Sequence, residues 1–171
     1  MEEKDYTAYL IKRSPSAAEI LESSEFQALA SFPRHLNMTN TRDHSIRVAV
    51  LMARLAERNG LDPASAIKTG LLHDMCYVNY YRKNDHKGLY CFYHPEEAAD
   101  NAGLSFGLTE EEDRAIRAHM FPLAFHIPSG KLALTLTLSD KAVSVYEGLC
   151  GVKPLHRAMR SVAKKLLPEL R

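Results

Sequence analysis

The chain has 171 residues, 46% of them apolar and 25% charged, with 22 Lys/Arg against 21 Asp/Glu for a formal charge of +1. That length suits one ordinary domain able to bury a sizeable core, and the composition is that of a globular protein rather than a disordered one. So even a charge gives no electrostatic case for long nucleic acid or a membrane surface.

Cys76, Cys91 and Cys150 are odd in number and lack a C-x-x-C spacing, which argues against a disulfide framework and against a thiolate zinc site. The first residues, Met1-Glu2-Glu3-Lys4-Asp5, are acidic where a signal peptide needs positive charge followed by an apolar run. No stretch reaches the roughly 18 uninterrupted apolar residues of a membrane span, and the expectation is a cytoplasmic protein. Charge is locally uneven: residues 95–113 hold seven acids and no base, and residues 151–171 hold six Lys/Arg against one Glu. Solvated helix faces account for both.

In chain order, the sequence predicts one domain over 1–171, with a helical extension over 1–35 and a core over about 41–147. Ser14-Pro15-Ser16 precedes a helix from Ala17 to Ala30 that must stop before Pro33. Phe32 to Asn40, with its proline and two asparagines, reads as a loop. Thr41 to Asn59 is a long helix with Thr39, Asn40 or Thr41 to cap it and Gly60 to end it, and its apolar residues put His44 on the inward face with Val48, Leu51 and Leu55. Asp62-Pro63 supplies a cap and first-turn proline for the next helix, Ala64 to His73, in which Ala66 and Gly70 permit close approach of a neighbour.

Met75 to Tyr93 carries no helical period. His94-Pro95 opens a third helix of the core, Thr109-Glu110-Glu111-Glu112 is a capping box for a fourth running to about His119, and Pro122 ends it. In Lys131 to Ser139 leucine alternates with Ala133, Thr135 and Thr137, which by period alone argues strand. A solitary strand has nowhere to place its backbone hydrogen bonds, so helix is the expectation, with Asp140 inward. A basic amphipathic helix over about 154–168 closes the all-α bundle.

Six residues stand out: His44, His73, Asp74, His94, His119 and Asp140. An unpaired carboxylate in an apolar core is costly, and a metal removes that cost. Imidazole and carboxylate without thiolate suit Fe or Mn, with Co, Ni, Zn or Mg as alternatives, better than Ca. Six ligands exceed what one open catalytic ion needs but fit two ions bridged by a carboxylate about 3.5–4 Å apart. Such an electropositive pair attracts anions and suits hydrolysis at phosphorus by a metal-activated hydroxide. Neither a P-loop nor a G-x-G-x-x-G motif is present.

The order His44, His73-Asp74, Asp140 on separate helices resembles the HD-domain metal-dependent phosphohydrolase superfamily, an all-helical fold, over about residues 41–147. His94 and His119 match the further pair of its binuclear members. The resemblance implies that His44, His73, Asp74 and Asp140 hold one ion and His94 and His119 the other, with Asp74 bridging. Two departures are visible. Met120 stands where cyclic-dinucleotide phosphodiesterases of the superfamily carry a second His, which disfavours that substrate, and Met75-Cys76 replaces the common Ile-Gly after His-Asp.

Substrate contacts are expected from Tyr77, Tyr80, Tyr81, Tyr90, Phe92 and Tyr93, interleaved with Arg82 and Lys83, because a nucleotide needs stacking faces beside cations. Lys141, directly after the last ligand, is a candidate for assisting catalysis together with Asp74, and Arg47 and His126 are further candidates for substrate binding. The reading is therefore a hydrolase of a small phosphorylated metabolite, in particular a nucleotide, with homo-oligomerisation left open. The alternative is a non-hydrolytic nucleotide sensor that uses the same metal pocket.

Overall fold

The computed structural model describes residues 3–34, 39–79 and 88–150. The expected helix over 154–168 and the candidates Arg82 and Lys83 lie outside these residues. Among the described residues the fold is all-α: α1 (Glu3–Arg13), α2 (Ala17–Glu22), α3 (Ser24–Ala28), α4 (Thr41–Asn59), α5 (Pro63–Leu72), α6 (Tyr90–Phe106), α7 (Glu110–Ala118) and α8 (Gly130–Cys150). A minor antiparallel ladder joins β1 (Pro33–Arg34) to β2 (Thr39–Asn40).

Helix α4 is the central element, packed against α1, α5 and α8. It starts where the Asn40 side chain accepts a hydrogen bond from the Asp43 N–H at 2.9 Å and ends where Gly60 adopts φ 66°, the left-handed cap that glycine takes without strain. Its buried apolar residues, among them Val48, Ala49, Met52 and Ala56, share one core with Ile67, Leu71 and Leu72 of α5. That contact is tight at Gly70. A Cβ placed there would lie 2.7 Å from the Ala49 Cα, closer than packed carbon atoms come, so the two helices cross only because this position lacks a side chain.

Helix α8 resolves the alternating leucines. Leu132 and Leu136 are buried, whereas Leu134 is 49% and Leu138 66% exposed. A period of two in residue type thus overlies a 3.6-residue period in environment, and the inward stripe continues through Asp140, Val143 and Glu147.

Three elements differ from expectation. The helix predicted from Ala17 to Ala30 breaks at Ser23, whose backbone is extended and whose hydroxyl accepts from the Phe26 N–H at 3.2 Å, ending one helix and capping the next. The loop from Phe32 to Asn40 contains the β1–β2 ladder. Helix α6 begins at Tyr90, so Pro95 lies inside it rather than in its first turn. The added turn brings Tyr90 and His94 into i,i+4 contact, with their rings stacked at 4.2 Å between centroids.

Candidate metal centre

Five helix segments deliver the six candidate ligands to one place. His44 sits in the first turn of α4, His73 and Asp74 at the end of α5, His94 in the early turns of α6, His119 at the end of α7 and Asp140 in the middle of α8. All six are buried. Two overlapping sets have ligand atoms within 4.8 Å of one another: His44, His73 and Asp140, and His73, Asp74 and His119.

The orientation of each imidazole follows from what its outer nitrogen meets. His73 and His119 cap their helices, and each Nδ1–H donates to a carbonyl three residues back, Gly70 at 2.9 Å and Ile116 at 2.7 Å. His94 Nδ1–H donates to the Tyr90 carbonyl at 2.8 Å, and His44 Nδ1–H donates to Glu147 Oε2 at 2.8 Å. With every Nδ1 occupied outward, all four Nε2 atoms face the centre, the arrangement by which proteins fix the tautomer of a metal-binding histidine.

Asp74 lies between them with its oxygens divided. Oδ2 is 3.3 Å from His73 Nε2 and 3.6 Å from His44 Nε2, and Oδ1 is 3.4 Å from His94 Nε2 and 3.7 Å from His119 Nε2. Asp140 Oδ1 completes the first set at 3.1 Å from His44 Nε2 and 3.9 Å from His73 Nε2.

The charges are settled by position. Burial pushes the Asp74 and Asp140 carboxyls toward the neutral form, but neighbouring positive charge and hydrogen bonds win: Arg34 and His73 hold Asp74, and His44 holds Asp140, well below the usual carboxylate range. Burial likewise opposes charge on His44, yet its bonds to Asp140 and Glu147 raise it to about 9. His119 goes the other way, depressed well below an ordinary histidine by burial and by His94 and His73.

Several features fit this centre to divalent cations. His73 Nε2 and Asp74 Oδ1 are buried without a hydrogen-bond partner. His94 Nε2 and His119 Nε2 stand 3.0 Å apart, although both rings already spend their single neutral-state proton on backbone carbonyls. Two lone pairs at that distance repel unless a cation lies beside them, and the low proton affinity of His119 disfavours a proton in that role. The donor set is imidazole and carboxylate alone. Cys76, the nearest thiol in sequence, is buried with its pKa pushed up to about 12, chiefly by burial.

Two residues in this centre escaped the sequence reading. Arg34, on β1, pairs with Asp74 Oδ2 at 2.7 Å and lies over the Tyr90 ring. A cation in a two-residue strand gives no pattern to read. Glu147 did leave a signal, since it falls two turns after Asp140 on the inward stripe of α8.

The remaining candidates are placed differently. Lys141 Nζ donates to Asp140 Oδ2 at 2.9 Å and to the His119 carbonyl at 2.8 Å, tying α8 to the end of α7. Arg47 Nη1 donates to Glu147 Oε1 at 2.6 Å and to Thr39 Oγ1 at 2.9 Å, behind His44. His126 is not brought to the cluster: it is exposed and pairs with Glu96 at 3.0 Å.

Fold and centre together define an all-helical protein with a buried His–Asp constellation suited to divalent metal. The family model for the HD domain matches residues 41–145, and the chain belongs to that family. Membership points in general to metal-dependent phosphohydrolase chemistry, and HD domains bind divalent metals. No curated protein and no solved structure gives a significant match. No helix among the described residues is long and apolar enough to cross a membrane.

Proposed function

We propose that the chain is a two-metal phosphohydrolase acting on a small phosphorylated metabolite, in particular a nucleotide. The observation that carries this reading is the division of Asp74, with each carboxylate oxygen facing its own pair of imidazole nitrogens. His44, His73, Asp74 and Asp140 would hold one ion and His94 and His119 the other, with Asp74 shared. Iron or manganese suits the donor set best, with Co, Ni, Zn or Mg also accommodated. Bound there, the ions would supply Lewis acidity toward a phosphoryl oxygen and a lowered pKa for water.

The protein's own groups have separate tasks. Lys141 fixes the second oxygen of Asp140 and keeps the end of α7 against α8, so His119 and Asp140 are held at a constant separation. Arg34 offsets the charge of Asp74 and preserves its orientation. Aromatic and basic residues between Asp74 and His94, Arg82 and Lys83 among them, are the proposed contacts for base and phosphate.

The test is elemental analysis of the purified full chain, followed by turnover of a nucleotide panel with Mn or Co added. Bound transition metal together with release of phosphate or a nucleoside phosphate supports the reading. Ligand-dependent thermal shift with no hydrolysis across the panel would replace it by a nucleotide-sensing module.

A further inference from the structure

Among the four inward-facing imidazoles, three are anchored by a backbone carbonyl and one by a carboxylate. His73, His94 and His119 lean on the carbonyls of Gly70, Tyr90 and Ile116, and His44 leans on Glu147. The difference is chemical as well as geometric. An anionic partner on Nδ1–H makes the far nitrogen more electron-rich and a stronger metal ligand, while a neutral carbonyl fixes orientation with little gain in basicity. Glu147 is itself held. Its side chain is 4% exposed, and Arg47 grips Oε1 at 2.6 Å while Oε2 meets His44.

We infer that Glu147, steadied by Arg47, is a positioning residue that makes the two halves of the centre unequal, so the half containing His44 takes the first and tighter ion. This rests on the two-metal reading above. Helix α8 thereby contributes twice to one half, with Asp140 as a ligand and Glu147, two turns later, as the anchor of a ligand on α4. The half built on His94 and His119 has no counterpart among the described residues. Arg47 accordingly acts through Glu147 rather than on the substrate.

The metal-free full chain is titrated with Mn(II) by calorimetry and with Co(II) by visible absorption. The wild type shows two steps. In Glu147→Gln, which keeps the shape and removes the charge, the tighter step weakens about 10–100-fold, the range for outer partners of metal ligands, while the other step stays in place. Arg47→Met weakens the same step by less, and Arg47→Lys restores it. Should Glu147→Gln fail to fold, Arg47→Met carries the test, because Arg47 is one-third exposed at 33%. An unchanged titration overturns the inference, as does equal weakening of both steps or an effect confined to the weaker one. If the wild type takes up a single ion, that step must weaken in Glu147→Gln, and an unweakened step counts against the inference. No uptake at all by the wild type refutes the proposed function itself, before any variant is compared.

Discussion

The two halves of the centre are built from the same residue types and lie side by side, yet they reach their electrostatic state by opposite routes. Around His44 the carboxylates of Asp140 and Glu147 gather positive charge, and its pKa is raised to about 9 in the metal-free chain. Around His94 and His119 the closest neighbours are other imidazoles, and His119 refuses a proton even at pH values where a free histidine accepts one. In one half a cation would take the place of a proton on a histidine made strongly basic by its carboxylates, and in the other it would lie beside a pair of facing lone pairs. Identical side chains therefore differ in behaviour because of what stands on their far side.

Removing the shared element has the largest expected effect. Asp74→Ala takes away the carboxylate that, among the described residues, faces both halves, and should bring metal content and turnover to background, as read by elemental analysis and phosphate release. Retained activity would dismantle the centre as described. Next in size, His119→Ala should lower bound metal by about half if each half holds one ion. Its metal-free melting temperature should change little or rise, because the close approach of two lone pairs disappears.

The pH response sharpens the contrast further. A group whose folded pKa is raised above 6.5 contributes stability that is complete below pH 6.5 and is lost as the pH climbs through about 9; for His44 this is on the order of 3 kcal/mol. His119, depressed, contributes the opposite sign, with stability complete above pH 6.5 and lost as the pH falls below it. Urea midpoints of the metal-free chain should thus decline between pH 7 and pH 9.5, and His44→Gln should flatten that decline. The smallest effect lies away from both halves. Thr109→Ala removes a capping box at the start of α7 and should cost about 1 kcal/mol in chemical denaturation while leaving metal content untouched.

Much of this was legible in the chain because candidate ligands leave strong marks. Histidines and aspartates on apolar helix faces are conspicuous, and α4 and α7 carried caps whose chemistry appears in the structure as read. Helix α8 was harder, since its leucines lie on both faces and hide a helical period under an alternating one. What escaped were residues whose meaning depends on distant partners. Arg34, on a two-residue strand, meets Asp74 far along the chain, and α6 starts a turn before the His-Pro pair, where Tyr90 stacks on His94. The role of Arg47 could not be read either, since its partner lies a hundred positions away in sequence.

Gly70 bears on the centre from outside it. Its missing side chain lets α4 and α5 touch, and its carbonyl, three residues before His73, receives that imidazole's proton. One methyl group added there would wedge apart the helices that present His44 and His73 and drag the acceptor away from the ring it steadies. The spacing of the candidate ligands is thus governed by a hydrogen atom on a residue that is not one of them, and screens restricted to charged and aromatic positions would overlook it.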